Sequence, residues 1–193
     1  ALIGLGMIGL VKGTFGPGLE PVPASLPGRQ VLAYLCDLVY LVCGVGLLLP
    51  RTAILAARVL FAFLLLWLIL LRLPWLLVDP QVNTWWPAAS TSVILAAAWV
   101  LYASLADDQD RQYLGFAVGE NGVRVATILF GLGLIPLGLA HFLYLEATAP
   151  LVPAWLIWPV FWSYFTGASF IAAGMGVIFG VLPRLAAAFV TLQ

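Results

Sequence analysis

The chain is built from runs of apolar side chains long enough to cross a bilayer. Val31–Leu49 is broken only by Asp37, and Ala53–Leu71 only by Arg58. Ala88–Ala106, Val123–Ala140 and Phe161–Val181 follow. A shorter run, Ala1–Val11, opens the chain, and Leu185–Leu192 begins a seventh. A spanning helix needs ~20 mostly apolar residues. Unpaired backbone groups are prohibitive in hydrocarbon, so only helices and closed barrels span it. These runs are continuous, whereas barrel strands alternate in polarity. The expected fold is an all-α integral membrane protein: a polytopic helical bundle of about seven transmembrane helices.

Composition agrees with the runs. Hydrophobic residues make up 64% of the 193 and charged residues 8%, against ~45–50% and ~25% in soluble domains. Disorder needs the opposite balance. Eight basic and eight acidic residues cancel, with no basic cluster to meet a phosphate backbone, so nucleic acid is not an expected partner. A structural zinc site needs about four ligands. The chain has Cys36, Cys43 and one histidine, His141, so no metal site is expected. Cys36 and Cys43 share a helix face but stand roughly 10 Å apart, too far for a disulfide, and read as buried core thiols.

The loops are of two kinds. One set joins helices 1–2, 3–4 and 5–6. It holds prolines and the tryptophans Trp75, Trp85, Trp86, Trp155, Trp158 and Trp162, a density that marks a membrane–water interface. The other set is short or charged, with Arg51, Asp107, Asp108, Asp110, Arg111, Glu120, Arg124 and Arg184. With Arg58, that side carries five basic residues against Lys12, Arg29 and Arg72 on the other. The positive-inside rule then puts the N-terminus and the Arg51, Arg111 and Arg184 loops in the cytoplasm. Arg58 and Arg72 flank the third helix and are expected to snorkel to the two interfaces. The Asp107–Asp110 run reads as a solvated loop. Both chain ends fall inside apolar runs, so the natural protein is expected to extend further, with an eighth helix past Gln193.

The chain also repeats itself. Ala1–Phe15 and Ile128–Phe142 share seven of fifteen residues, including Gly4-Leu5-Gly6 against Gly131-Leu132-Gly133. Val22–Gly46 aligns with Val152–Gly176 through Val-Pro-Ala, Tyr34 with Tyr164, and Gly44-x-Gly46 with Gly174-x-Gly176. Pro50-Arg51 then corresponds to Pro183-Arg184. Four helices precede the second copy, so it enters the membrane in the same direction, as a parallel repeat. The expected units are residues 1–110, a four-helix repeat, and 111–193, an incomplete repeat of three helices. The paired glycines are expected at close helix contacts, since small residues let backbones approach in lipid.

From Gly131 to Arg184 the sequence reads Gly-Leu-Gly-Leu-Ile-Pro-Leu-Gly-Leu-Ala-His-Phe, a loop with Val-Pro-Ala-Trp, then Tyr-Phe-Thr-Gly, Gly-Met-Gly and Pro-Arg-Leu-Ala-Ala. This stretch resembles the DoxX/DoxD superfamily of four-helix bacterial membrane proteins, chiefly through Gly138-Leu139-Ala140-His141-Phe142. The first copy departs from the pattern, with Thr14 in the place of His141. The founding relatives are subunits of a thiosulfate:quinone oxidoreductase and its terminal oxidase. Others accompany redox or oxidative-stress proteins, and distant eukaryotic relatives are cargo receptors. The resemblance implies a bacterial inner-membrane subunit of a redox or energy-transducing complex, with electron transport and quinone as its chemistry. Fold transfers better than function along such a resemblance.

An ionisable residue at membrane depth is a functional candidate. His141 lies at the end of an apolar helix, with Glu146 five residues on. A neutral imidazole can hydrogen-bond a quinone carbonyl while a nearby carboxylate fixes its tautomer. It can equally be a single axial ligand to haem or chlorin, with Met7 or Met175 as second ligand, or an interfacial histidine bonded to loop backbone. Asp37 is the second candidate, with Lys12 and Arg29 as possible partners and Glu20 parallel to Glu146. The expected site is a polar pocket under the Trp-rich loops, made by Lys12, Glu20, Asp37, His141 and Glu146. Three classes of function follow: a redox-associated subunit that contacts quinone; a structural accessory subunit of a respiratory or photosynthetic complex; or a small-molecule permease, for which no broken midplane helix is evident. No phosphate-binding loop, nucleophile elbow or paired carboxylates mark a catalytic site, so a stand-alone enzyme is not expected.

Overall fold

The computed structural model describes residues 2–16, 19, 22, 23 and 26–181, apart from the side chains of Val82 and Asn83. The described residues form helices and turns. They are α1 (Leu2–Lys12), α2 (Arg29–Gly46), α3 (Ala53–Trp67) and, after a π-helical turn at Leu68–Arg72, α4 (Leu73–Val78). Next come α5 (Val82–Leu105), α6 (Asp108–Leu114), α7 (Gly119–Leu143), α8 (Leu145–Thr148), a 3-10 turn at Ala149–Leu151, and α9 (Pro159–Ile178).

Five of these segments are long and apolar enough to cross a membrane: Arg29–Gly46, Ala53–Val78, Thr84–Leu105, Gly119–Leu143 and Pro159–Ile178. They fall on the five long runs of the sequence. Their outward faces carry large apolar side chains such as Leu35, Val42, Leu66, Leu70 and Phe165, which suits a lipid environment rather than water. Helix α1 has 11 residues and is roughly 16 Å long, about half the hydrocarbon thickness. The run Leu185–Leu192 and Glu20 lie outside the described residues.

The third run continues further than its sequence suggests. Pro74 lies inside the continuous Ala53–Val78 segment. A proline ring presses on the carbonyl four residues earlier, here Leu70. The wide π turn at Leu68–Arg72 falls just where that conflict arises and lets the helix pass through.

The helices pack in the order α1 on α2, α2 on α3, α3 on α5, α5 on α7 and α7 on α9. Glycines set two of these contacts. A side chain on Gly138 would meet the Gly167 carbonyl at 2.6 Å, and one on Gly174 the Gly131 carbonyl at 2.7 Å, so the α7 and α9 backbones touch. Gly6 lies equally close to the Asp37 carbonyl of α2, at 2.6 Å, and Gly44 meets Ile3 of α1. A side chain on Gly4 would meet nothing within 4 Å, so the small-residue expectation fails there. The largest buried cluster lies among α1, α2, α3 and α5, around Phe15, Tyr40, Leu60, Leu64, Trp67 and Leu95.

Candidate functional site

His141 sits in the last turn of α7 and is half-buried. Its Nδ1 is 3.3 Å from Ser163 Oγ on α9. Ser163 Oγ is 2.8 Å from Thr148 Oγ1, whose hydroxyl donates to the Tyr144 carbonyl at 3.2 Å. Ser163 and Thr148 are fully buried. The ring also lies against Phe170, with centroids 5.9 Å apart. Gly167 makes the arrangement possible, since a side chain there would meet His141 Cβ at 2.7 Å. The result is a three-residue polar chain running from a half-exposed imidazole into the protein. While Thr148 donates to Tyr144, Ser163 donates to Thr148 and accepts from the imidazole; the reverse order requires Thr148 to turn its proton from Tyr144 to Ser163. Ser163 and Thr148 were not among the candidates read from sequence. A serine four residues before a helical glycine is too common to stand out.

Asp37 is fully buried in the middle of α2. The Gly16 N–H donates to its Oδ1 at 3.0 Å. Its carboxylate packs directly over the Cα of Gly9. Its Oδ2 has no hydrogen-bond partner among the described residues, and neither do the Tyr40 hydroxyl and the Trp67 indole N–H in the same buried cluster.

The other expected site residues lie apart from both. Lys12 ends α1 and is exposed, and Glu146 is exposed on α8. Asp37 belongs to the α1–α2 contact and His141 to the α7–α9 contact. No hydrogen bond or ion pair among the described residues joins any two of Lys12, Asp37, His141 and Glu146.

One of the two arginines flanking the third helix departs from the sequence expectation. Arg72 does not snorkel. It is 4% exposed, its Nε donates to Thr91 Oγ1 of α5 at 3.3 Å, and Thr91 in turn donates to the Pro87 carbonyl at 2.9 Å. It also lines a cavity of about 280 Å³ with Asp79 and Thr84. Arg58 is likewise tied down. Its Nε and Nη2 donate to Asp110 Oδ2 at 3.1 and 2.8 Å, and Nη2 also reaches Asp107 Oδ2 at 2.6 Å. The Tyr102 hydroxyl donates to Asp110 Oδ1 at 2.9 Å. Asp107 and Asp110 cap α6 reciprocally. The run read as a solvated loop is therefore a clamp that holds α6 to α3 and α5. The Asp110 N–H, and then the Arg58 guanidinium, keep the Asp107 carboxyl below its usual range.

Among the described residues no three metal-ligating side chains cluster. The imidazole and hydroxyls of His141, Ser163 and Thr148 can bind and orient a ligand or carry a proton. Neither protein-family models, nor curated proteins, nor solved structures give a match to this chain.

Proposed function

We propose that this chain is a DoxX-like integral membrane subunit that contacts quinone through His141 and serves a redox complex rather than catalysing a reaction alone. The observation that carries the reading is the His141–Ser163–Thr148 chain. When the hydroxyls point inward, Nδ1–H donates to Ser163 and Nε2 is left as an acceptor, suited to a quinol hydroxyl. When Thr148 turns its proton from the Tyr144 carbonyl to Ser163, Ser163 donates to Nδ1 and Nε2 carries the proton, suited to a quinone carbonyl. One site then serves both redox states of the same head group. A fully hydrogen-bonded structural histidine would not need a reversible chain.

The repeat gives the reading further support. We infer two parallel DoxX-like units, residues 1–110 and 111–193, with about seven spans between them. Helices α2 and α9 begin at positions the repeat makes equivalent, Arg29 and Pro159. Each follows a left-handed residue, Gly28 at φ 68° and Trp158 at φ 60°. In the first unit Thr14 and Ala33 occupy the places of His141 and Ser163. Both members of the polar pair are thus replaced together, which marks the pair as a feature of the second unit and not of the scaffold. The same reading puts the Trp-rich loops outside a bacterial inner membrane, the N-terminus in the cytoplasm, and other membrane subunits against the chain.

The test is quinone retention. The full chain is reconstituted in nanodiscs with ubiquinone or menaquinone, and bound quinone is measured after exchange. His141→Ala removes a hydrogen bond worth about 1 kcal/mol and should weaken retention roughly five- to tenfold, with Ser163→Ala weakening it less. Unchanged retention in both variants would leave the accessory-subunit reading in its place.

A further inference from the structure

Helix α6 and the turn after it leave large apolar side chains uncovered. Every residue from Arg111 to Phe116 is exposed, Tyr113 at 77% and Phe116 at 74%. This strip is not part of a span. It lies on the link between α5, which ends at Leu105, and α7, which begins at Gly119.

Both ends of the link are tied back to α5. Ala106 (ψ 134°) and Asp107 (ψ −175°) are extended, so α6 leaves α5 at a break rather than continuing it. Asp110 then accepts from the Tyr102 hydroxyl and from Arg58. At the other end the Trp99 indole N–H donates to the Ala117 carbonyl at 2.7 Å, and Ala117 and Val118 are buried. Trp99 and Tyr102 belong to the last two turns of α5. The strip between the tethers therefore stays beside the end of a membrane-crossing helix, where bilayer meets water.

The first tether also sets the roll of α6. At ~100° per residue, Tyr113 and Leu114 stand within about 60° of Asp110, and Asp108 and Gln112 about 160° from it. The partners of Asp110 lie inside the spans: Arg58 is more than a turn into α3, and Tyr102 nearly a turn before the end of α5. The Asp110 face of α6 thus looks toward the hydrocarbon. Tyr113 and Leu114 share that face, and Asp108 and Gln112 take the opposite one. Charge adds little to the arrangement. Asp107 is paired with Arg58, and the exposed Asp108 and Glu120 balance the exposed Arg111 and Arg124.

We propose that α6 is an interfacial anchor that inserts Tyr113, Leu114 and Phe116 into the boundary between lipid head groups and acyl chains, held there by apolar contact and not by charge. An amphipathic helix with its apolar face down is the arrangement of surface-lying membrane anchors, and a tyrosine, apolar in its ring and polar at its tip, suits that depth. The exposed Leu105 and Val125 lead from the spans on either side into the same strip.

Spin labelling of the full chain in nanodiscs tests this. Asp108→Cys, Gln112→Cys, Tyr113→Cys and Leu114→Cys are labelled one at a time. Collisions of each label with oxygen, which concentrates in lipid, are compared with collisions with a nickel chelate, which stays in water. Cys36 and Cys43 are buried, and the wild-type chain taken through the same labelling gives the background. Oxygen should dominate severalfold at 113 and 114 and the chelate at 108 and 112, alike in phosphatidylcholine and phosphatidylglycerol discs. Asp110→Ala frees the roll and should shrink the contrast. Dominance of the chelate at all four positions puts α6 in water. Shielding of 113 and 114 from both probes assigns them to a protein contact, and a contrast confined to phosphatidylglycerol makes charge the anchor. Each of these three results overturns the proposal, and an undiminished contrast in Asp110→Ala overturns the part given to the clamp.

Discussion

Arg58 and Asp110 are 52 residues apart in sequence and meet through two hydrogen bonds to one oxygen, Asp110 Oδ2, at 3.1 and 2.8 Å. The pair joins the body of α3 to the first turn of α6, and Tyr102 of α5 completes it from the other carboxylate oxygen. Tyr102→Phe removes only that third bond. Tyr102 is 2% exposed, so the loss should cost about 1 kcal/mol and lower the melting temperature in detergent by roughly 2–4 °C. Asp110→Ala should lower it more, because it also releases Arg58 and the Asp107 N–H. An unchanged melting temperature in both variants would remove the clamp from the account of stability.

Acid should open the same clamp. The Asp107 pKa is lowered in the folded chain from its ordinary 3.8. A group depressed on folding adds stability that is complete above its unfolded pKa and is lost as pH falls through its folded value. Asp107→Asn should therefore flatten the stability profile below about pH 4 and leave it unaltered at pH 7 apart from a constant offset. Hydrogen-exchange protection of the α6 amides, corrected for the intrinsic pH dependence of exchange, should fall below about pH 4. Protection at α6 that stays constant from pH 6 down to pH 2 would refute the link.

Asp37 offers a sharper contrast. Asp37→Asn keeps an oxygen for the Gly16 N–H and removes a buried carboxylate whose second oxygen has no described partner. Asp37→Leu leaves the Gly16 N–H buried and unsatisfied, at about 1–3 kcal/mol, and puts a branched chain over Gly9. The asparagine variant should melt at or above the wild-type temperature and the leucine variant well below it. The reverse order would show that the charge itself is needed.

The α7–α9 contact can be probed at Gly167. An added methyl would meet the Gly138 carbonyl at 2.8 Å and His141 Cβ at 2.7 Å. Gly167→Ala should destabilise by about 1–3 kcal/mol, the usual cost of overpacking, and displace the imidazole from Ser163. Gly4→Ala, which meets nothing within 4 Å, should be neutral or mildly stabilising, since alanine is the better helix former. A comparable gain at both positions would mean that the glycines act through helix propensity and not through contact.

The five long spans were legible because each is a local run, and the need to satisfy backbone groups in lipid turns such a run into a helix regardless of its neighbours. What the sequence hid was long-range pairing. Arg58 and Arg72 each interrupt or flank an apolar run, and snorkelling is the natural reading of an isolated arginine. The partners that hold them, Asp110 and Thr91, come from other helices. The Asp107–Asp110 run does contain a visible N-cap signal, with two acids three apart, but nothing local says that it faces Arg58. At the candidate site His141 stood out as the sole histidine. Its partners Ser163 and Thr148 are ordinary small polar residues, found only once α7, α8 and α9 are folded together.

The wide turn at Leu68–Arg72 makes the third span a helix with one residue too many. Each α-helical residue advances the facing by ~100°, so the surplus residue offsets everything after it from everything before it, much as an insertion offsets a reading frame. The half below the turn presents Leu60, Leu64 and Trp67 to the core. The half above presents Arg72 to α5 and carries Asp79 to the rim. Winding this stretch as an unbroken α-helix with its residue count unchanged would turn the whole upper segment by about a quarter of a revolution, directing a guanidinium at lipid. The burial of Arg72 depends on that phase offset, and a hydropathy profile, blind to phase, would score the two helices alike.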